Sequence, residues 1–101
     1  MAWLDIIAYG DFYDVPHCII VEREGVLHAF DCPFDEDLDD YGTHYAVYRL
    51  PDAARDDCTR RLTPWDEVLR LGEQVGRVPV SAVRFDARRR YAMHDDAFKD
   101  L

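Results

Sequence analysis

Serine occurs once in this 101-residue chain, lysine once and cysteine three times. Ser81 lies in Val80-Ser81-Ala82, without the glycine-flanked elbow that exposes a serine nucleophile. Cys18, Cys32 and Cys58 are an odd number with no framework spacing, which excludes a disulfide scaffold. The fold is therefore expected to stand without a disulfide, and a reducing cytoplasm is the expected compartment. No apolar run approaches the roughly 20 residues of a membrane span. The apolar stretch from Trp3 to Tyr9 is too short for an export signal and is interrupted by Asp5. Internal repeats, linkers and low-complexity segments are also missing. Eleven of the 12 basic residues are arginine, a bias that carries no functional weight here.

Acids are what the chain has in excess. Net charge is −9, and it comes entirely from the first half. Residues 1–50 hold 11 acids against Arg23 and Arg49, whereas residues 51–101 balance 10 acids with 10 bases. Asp31, Asp35, Glu36, Asp37, Asp39 and Asp40 crowd into the ten positions of DCPFDEDLDD, with Phe34 among them and Tyr41 next. Such a field repels nucleic acid and anionic membrane, and attracts a basic protein surface or cations. A hydrophobic fraction of 49% and an aromatic fraction of 13% indicate a folded chain of one domain, residues 1–101.

The local patterns imply an α+β fold. We expect an antiparallel sheet of five to six strands, open or barrel-like, with one helix (about 64–72) packed against it. Trp3 to Tyr9 reads as a first strand, followed by a loop or bulge over Gly10 to Asp14. Cys18–Glu22 and Val26–Phe30 read as a hairpin closed by the three-residue loop Arg23-Glu24-Gly25, with Gly25 left-handed. That register sets Cys18 opposite Phe30 and His17 opposite Asp31, and puts Ile19, Val21, Leu27 and Ala29 on one core face. Tyr45 to Leu50 is a further strand ended by Pro51. Ala54, Cys58 and Leu62 form only a weak helical stripe. Thr63 can cap a helix in which Pro64 takes the first position, with Trp65, Val68, Leu69 and Gly72 on one face. Short extended pieces follow at Val78–Val80 and Val83–Phe85, then a last strand over Arg90–Met93 and a closing helical turn from His94.

Several constellations invite chemistry. Asp35, Asp37 and Asp39 match the alternating start of a calcium loop, but Asp40 stands where its glycine belongs and Ala46 where its glutamate belongs. His17, Cys18, His28 and Cys32 resemble metal ligands in type. On a strand, however, four residues place His28 about 13 Å from Cys32, and His17 and Cys18 face opposite ways. No metal and no cofactor are expected. A His17–Asp31 pair could orient an imidazole, yet no nucleophile is implied beside it. The arginines Arg88, Arg89 and Arg90, with Arg84 nearby, are better read as partners for carboxylates than as a phosphate site.

The function expected from these features is that of a small acidic, non-catalytic binding protein that neutralises or regulates a basic protein partner, in the manner of an immunity protein or inhibitor. Asp35, Glu36, Asp37, Asp39 and Asp40 supply the field, with Phe34, Tyr13 and Tyr41 as aromatic anchors, the two tyrosines exposed. No nucleic-acid, membrane or small-molecule partner is implied. Two other classes fit less of the pattern. A small hydrolase-like enzyme calls for a pocket holding His17 or His94 beside carboxylates, and a structural subunit calls for a flat apolar edge.

Overall fold

The computed structural model describes residues 3–13, 15–56, 64–86, 92–99 and 101, and gives no account of the side chains of 11–13 and 15. The expected Thr63 cap, the stripe through Cys58 and Leu62, the Arg88–Arg90 cluster and the Tyr13 ring all lie outside the described residues.

Eleven elements can be followed in chain order: β1 (Trp3–Leu4), β2 (Ile6–Tyr13), β3 (Val15–Arg23), β4 (Val26–Asp31), β5 (Phe34–Asp35), β6 (Asp40–Tyr41), β7 (His44–Leu50), α1 (Trp65–Leu71), β8 (Glu73–Pro79), β9 (Phe85–Asp86) and β10 (Ala92–His94). The main sheet has five antiparallel strands in the order β2-β3-β4-β7-β8. Its first and last strands do not pair with each other, so among the described residues the sheet is open and no barrel closes. A three-stranded sheet, β1-β10-β9, and the two-stranded β5-β6 hairpin complete the strands among the described residues. Short 3₁₀ turns cover Asp52–Ala54, Val80–Ala82 and Asp95–Phe98, the last where a closing turn is expected.

The β3–β4 hairpin is tighter by one residue than the glycine alone suggests. Arg23 pairs with Val26, leaving Glu24 and Gly25 as a two-residue loop with φ of 54° and 80°. Both positive values belong to the mirror-image turn whose twist matches that of the strands. The shift sets Cys18 opposite Asp31, Ile19 opposite Phe30 and Ile20 opposite Ala29. His17 consequently does not face Asp31; its carbonyl instead accepts the Cys32 N–H at 2.8 Å.

One residue of register regroups the core. Ile19, Val21, Phe30, Cys32, Tyr45, Val47 and Val78 share one face and pack against Val83, Met93, Ala97 and Phe98. Ile20, Leu27, Ala29 and Leu50 share the other, under Ala54, Val68, Trp65 and Leu69. The expected grouping of Ile19 and Val21 with Leu27 and Ala29 thus mixes two faces. Both sides of the central strands are buried, which is why they read as continuous apolar runs.

Helix α1 starts from the Pro64 carbonyl, which accepts from the N–H groups of Glu67 and Val68 at 3.0 and 3.1 Å. Pro64 therefore stands at the cap, one position earlier than expected, and Asp66 and Glu67 in the first turn suit the positive helix end. Gly72 closes the helix against β7. A Cβ there would come within 2.8 Å of Leu50 Cδ2 and 3.1 Å of the Arg49 carbonyl oxygen, so only glycine permits this approach.

Two strands run further than their composition implies. β2 continues through Gly10–Tyr13, with Phe12 opposite Pro16 and Tyr13 opposite Val15, so Tyr13 stands on a strand and not in a loop. β8 begins at Glu73, within the polar stretch after the helix, and runs as the sheet's outer strand.

Candidate functional site

The acidic segment folds as a miniature hairpin held by its own carboxylates. Asp35 Oδ1 accepts from the N–H groups of Asp37 and Leu38 at 2.9 and 3.4 Å, capping the turn. The Asp39 N–H donates to the Glu36 carbonyl at 3.3 Å, and Asp39 takes a left-handed φ of 51°, which aspartate tolerates better than most residues. Asp35 then faces Asp40 across the β5–β6 ladder, a like-charge pair that weakens it.

At its base the hairpin is tied to the sheet through rings. Phe34 meets Tyr41 edge-on at 5.3 Å, and Tyr41 stacks on His17 at 3.5 Å with 13° between planes. His17 is buried, and Tyr41 is half-buried, so Tyr41 acts as a buttress and not as the exposed ring expected. Beneath them the Cys32 Sγ donates to the Gly42 carbonyl at 3.2 Å. Burial, helped by the Asp31 charge, raises the Cys32 pKa despite that bond and keeps it a thiol. The apolar groups that do reach water are Phe34 and Leu38, 48% and 64% exposed. Leu38 is an anchor that an aromatic reading of the segment passes over.

Asp35, Glu36, Asp37, Asp39 and Asp40 are all exposed, and among the described residues no cation pairs with them. Three described arginines elsewhere are already engaged. Arg49 holds Glu73 at 3.0 Å, Arg55 holds Glu22 and also Asp52 at 3.0 Å, and Arg84 holds Asp96 at 2.8 Å. The glutamate and aspartate hydrogen bonds raise the Arg55 pKa further, so that guanidinium stays charged.

Beside the hairpin lies a groove of about 400 Å³. Its floor follows from register alone. Asp31, Ala46 and Arg77 pair in one row across β4, β7 and β8, so their side chains share a face. The small Ala46 leaves a gap between a carboxylate and a guanidinium. Trp65 Nε1–H donates to Asp31 Oδ1 at 2.8 Å and fixes that end. Phe34, Asp35 and Glu36 of the hairpin form the near wall, and His44, hydrogen-bonded to Thr43 Oγ1 at 2.9 Å, also borders it.

The remaining histidines serve the fold. His28 packs edge-on against Phe98 at 4.8 Å, and burial lowers its pKa, with the nearby Arg23 and Arg49 charges adding to that and the Val26 carbonyl opposing it. His94 is 5% exposed beneath Trp3, and its Nδ1 accepts the Asp96 N–H at 3.1 Å, capping the last turn. Desolvation pushes the Asp96 pKa up, but the Arg84 hydrogen bonds and charge, with His94, outweigh it and hold the carboxyl below its ordinary value. Among the described residues no three His, Cys, Asp or Glu side chains gather as metal ligands. Comparison of the chain with protein-family models, with curated proteins and with solved structures found no match.

Proposed function

We propose that this chain is a non-catalytic binding protein of the reducing cytoplasm that neutralises or regulates a basic protein partner through the β5–β6 hairpin. One observation carries the reading: Phe34 and Leu38 stand exposed among five carboxylates that no described cation neutralises. A solvated turn has no need of one exposed apolar group at its tip and another at its base. An interface core does, and a surrounding field of one sign steers an oppositely charged partner into contact.

The roles divide by position. Asp37, Asp39 and Asp40 at the turn supply long-range attraction. Phe34 and Leu38 supply the apolar contact, and the Tyr41–His17 stack holds the hairpin's base in place. Because the Asp35 cap and the Tyr41–His17 stack already hold the hairpin's shape without a partner, ordering costs at the interface are reduced.

The test begins with crosslinking from the native host at low salt, comparing the wild-type chain with the Asp37→Asn, Asp39→Asn, Asp40→Asn variant. A basic protein recovered by the first and lost by the second is then purified for association kinetics. The triple variant should associate more slowly, most clearly at low salt, with little change in dissociation. Leu38→Ala should instead speed dissociation. An association rate that ignores both salt and the three substitutions would overturn the proposal.

A further inference from the structure

We infer that His94 is a proton-operated cap on the closing turn Asp95–Phe98. In its neutral form Nδ1 accepts the Asp96 N–H; once protonated, Nδ1–H donates to Asp96 Oδ1 instead. The inference stands apart from the docking role proposed for the hairpin.

It starts from one oxygen. Asp96 Oδ1 is buried and has no hydrogen-bond partner among the described residues, a state that costs free energy and calls for a reason. The other oxygen, Oδ2, accepts from Arg84 Nε and Nη2 at 3.1 and 2.8 Å. Oδ1 stands 3.2 Å from His94 Nδ1, and Asp95 Oδ1 lies 3.5 Å from the same nitrogen. That nitrogen is occupied, because it accepts the Asp96 N–H at 3.1 Å. An imidazole nitrogen carries either a lone pair or a proton, so Nδ1 can serve the amide or the carboxylate, never both.

Packing keeps the ring from turning away. Trp3 meets it edge-on at 4.9 Å, and the same Trp3 pairs with His94 across β1 and β10. The His94 N–H donates to the Arg84 carbonyl at 3.0 Å, which pins the backbone as well. Nδ1 is thus held between its two partners, and the proton decides which one it serves. That proton comes from solvent by way of Asp95 and Asp96, whose side chains are 24% and 31% exposed. Desolvation pushes the Asp96 pKa up, but Arg84 outweighs it, so the carboxylate stays ionised and ready to accept. The other charged groups on the described elements around the ring are Arg84, Asp86 on β9, Lys99 after the turn and Asp5 after β1. The switch matters because this turn carries Ala97 and Phe98 into the core. Protonation satisfies the buried oxygen and releases the Asp96 N–H, loosening the turn at its start while Phe98 keeps its contact with Phe30. One hydrogen bond replaces another, so the signature is local.

The test is NMR on the isotope-labelled protein across a pH series. Ring nitrogen shifts report whether Nδ1 carries a proton, and amide exchange, relative to its intrinsic rate, reports the Asp96 N–H. As the ring takes up its proton, protection of that amide should fall by about tenfold, the scale of one hydrogen bond. His94→Gln has no proton to take up and should remove this pH dependence. Asp96→Asn keeps the amide and removes the charge, so the change should move to lower pH by about one unit. Arg84→Met leaves the carboxylate to His94 alone and should move the change to higher pH. Those two variants decide the matter should His94→Gln not fold. Amide protection that ignores ring protonation would overturn the inference, as would a neutral ring with its proton on Nδ1. A midpoint unmoved by Asp96→Asn would overturn it too.

Discussion

The β3–β4 and β5–β6 hairpins both turn on left-handed residues, yet the chain spends them differently. In the first, Glu24 and Gly25 close strands whose side chains are buried on both sheet faces, down to Ile19, Val21, Ala29 and Phe30 at 2% exposure or less. In the second, Asp39 closes strands of two residues each, whose acids face water and one another. Similar turn chemistry thus serves a core in one place and a projecting surface in the other. What differs is where the side chains end, and it follows that stability should reside in the first hairpin and interaction in the second.

The contrast is sharpest between two phenylalanines. Phe30 is fully buried against Tyr45 and Phe98, whereas Phe34 is 48% exposed. Phe30→Ala should cost about 3–5 kcal/mol of stability. Phe34→Ala should cost about 1 kcal/mol or less, the scale of its one edge-on contact with Tyr41. Urea unfolding of both variants checks the pair, and comparable losses would erase the distinction between the hairpins.

The turns themselves should respond in opposite directions. Gly25 has φ of 80°, so Gly25→Ala should destabilise by about 1–2 kcal/mol, the cost of placing a Cβ in that region. Asp39 has φ of 51°, and Asp39→Gly should relieve strain and stabilise by about 1 kcal/mol or less. Thermal midpoints measured side by side give the signs.

Acid should act on the core side of the molecule. His28 has a folded pKa below its ordinary 6.5, so the folded state favours its neutral form. Its contribution to stability is therefore present above pH 6.5 and is lost as pH falls below that value. Asp96 is held below its ordinary 3.8, so its contribution is present above that value and disappears in deeper acid. Stability measured against pH should fall in two stages. His28→Gln should flatten the first, and Arg84→Met should flatten the second.

Much of the core side was legible in the sequence, and the reason is local. Glu24-Gly25 between apolar runs marks a hairpin, Pro64 with Asp66 and Glu67 marks a helix start, and Pro51 marks a strand end. Register was not legible, because it turned on Glu24, a residue with no special preference for positive φ, sharing the left-handed loop with Gly25. Alternation could not correct the error, since strands buried on both faces have no polar face to betray a slip. β8 was hidden because an outer strand can be polar, and Glu73-Gln74 carries no apolar signal. For the candidate site, the acids were visible as a run, and Phe34 within them. The exposure of Leu38 belongs to the local turn, which an acidic run does not announce as a hairpin, whereas the burial of Tyr41 on His17 and the gap over Ala46 depend on pairings between distant strands, which no local window contains.

The most direct test of the division between the two hairpins is urea unfolding of the Asp37→Asn, Asp39→Asn, Asp40→Asn variant beside the wild type at low ionic strength. Exposed like charges repel, and here no described cation offsets them, so removing three should leave stability unchanged or raise it slightly. A gain that fades as salt is added would confirm that the wild-type turn carries uncompensated charge. A loss of more than about 1 kcal/mol would contradict the account, because it would mean that these carboxylates hold the chain's own fold together.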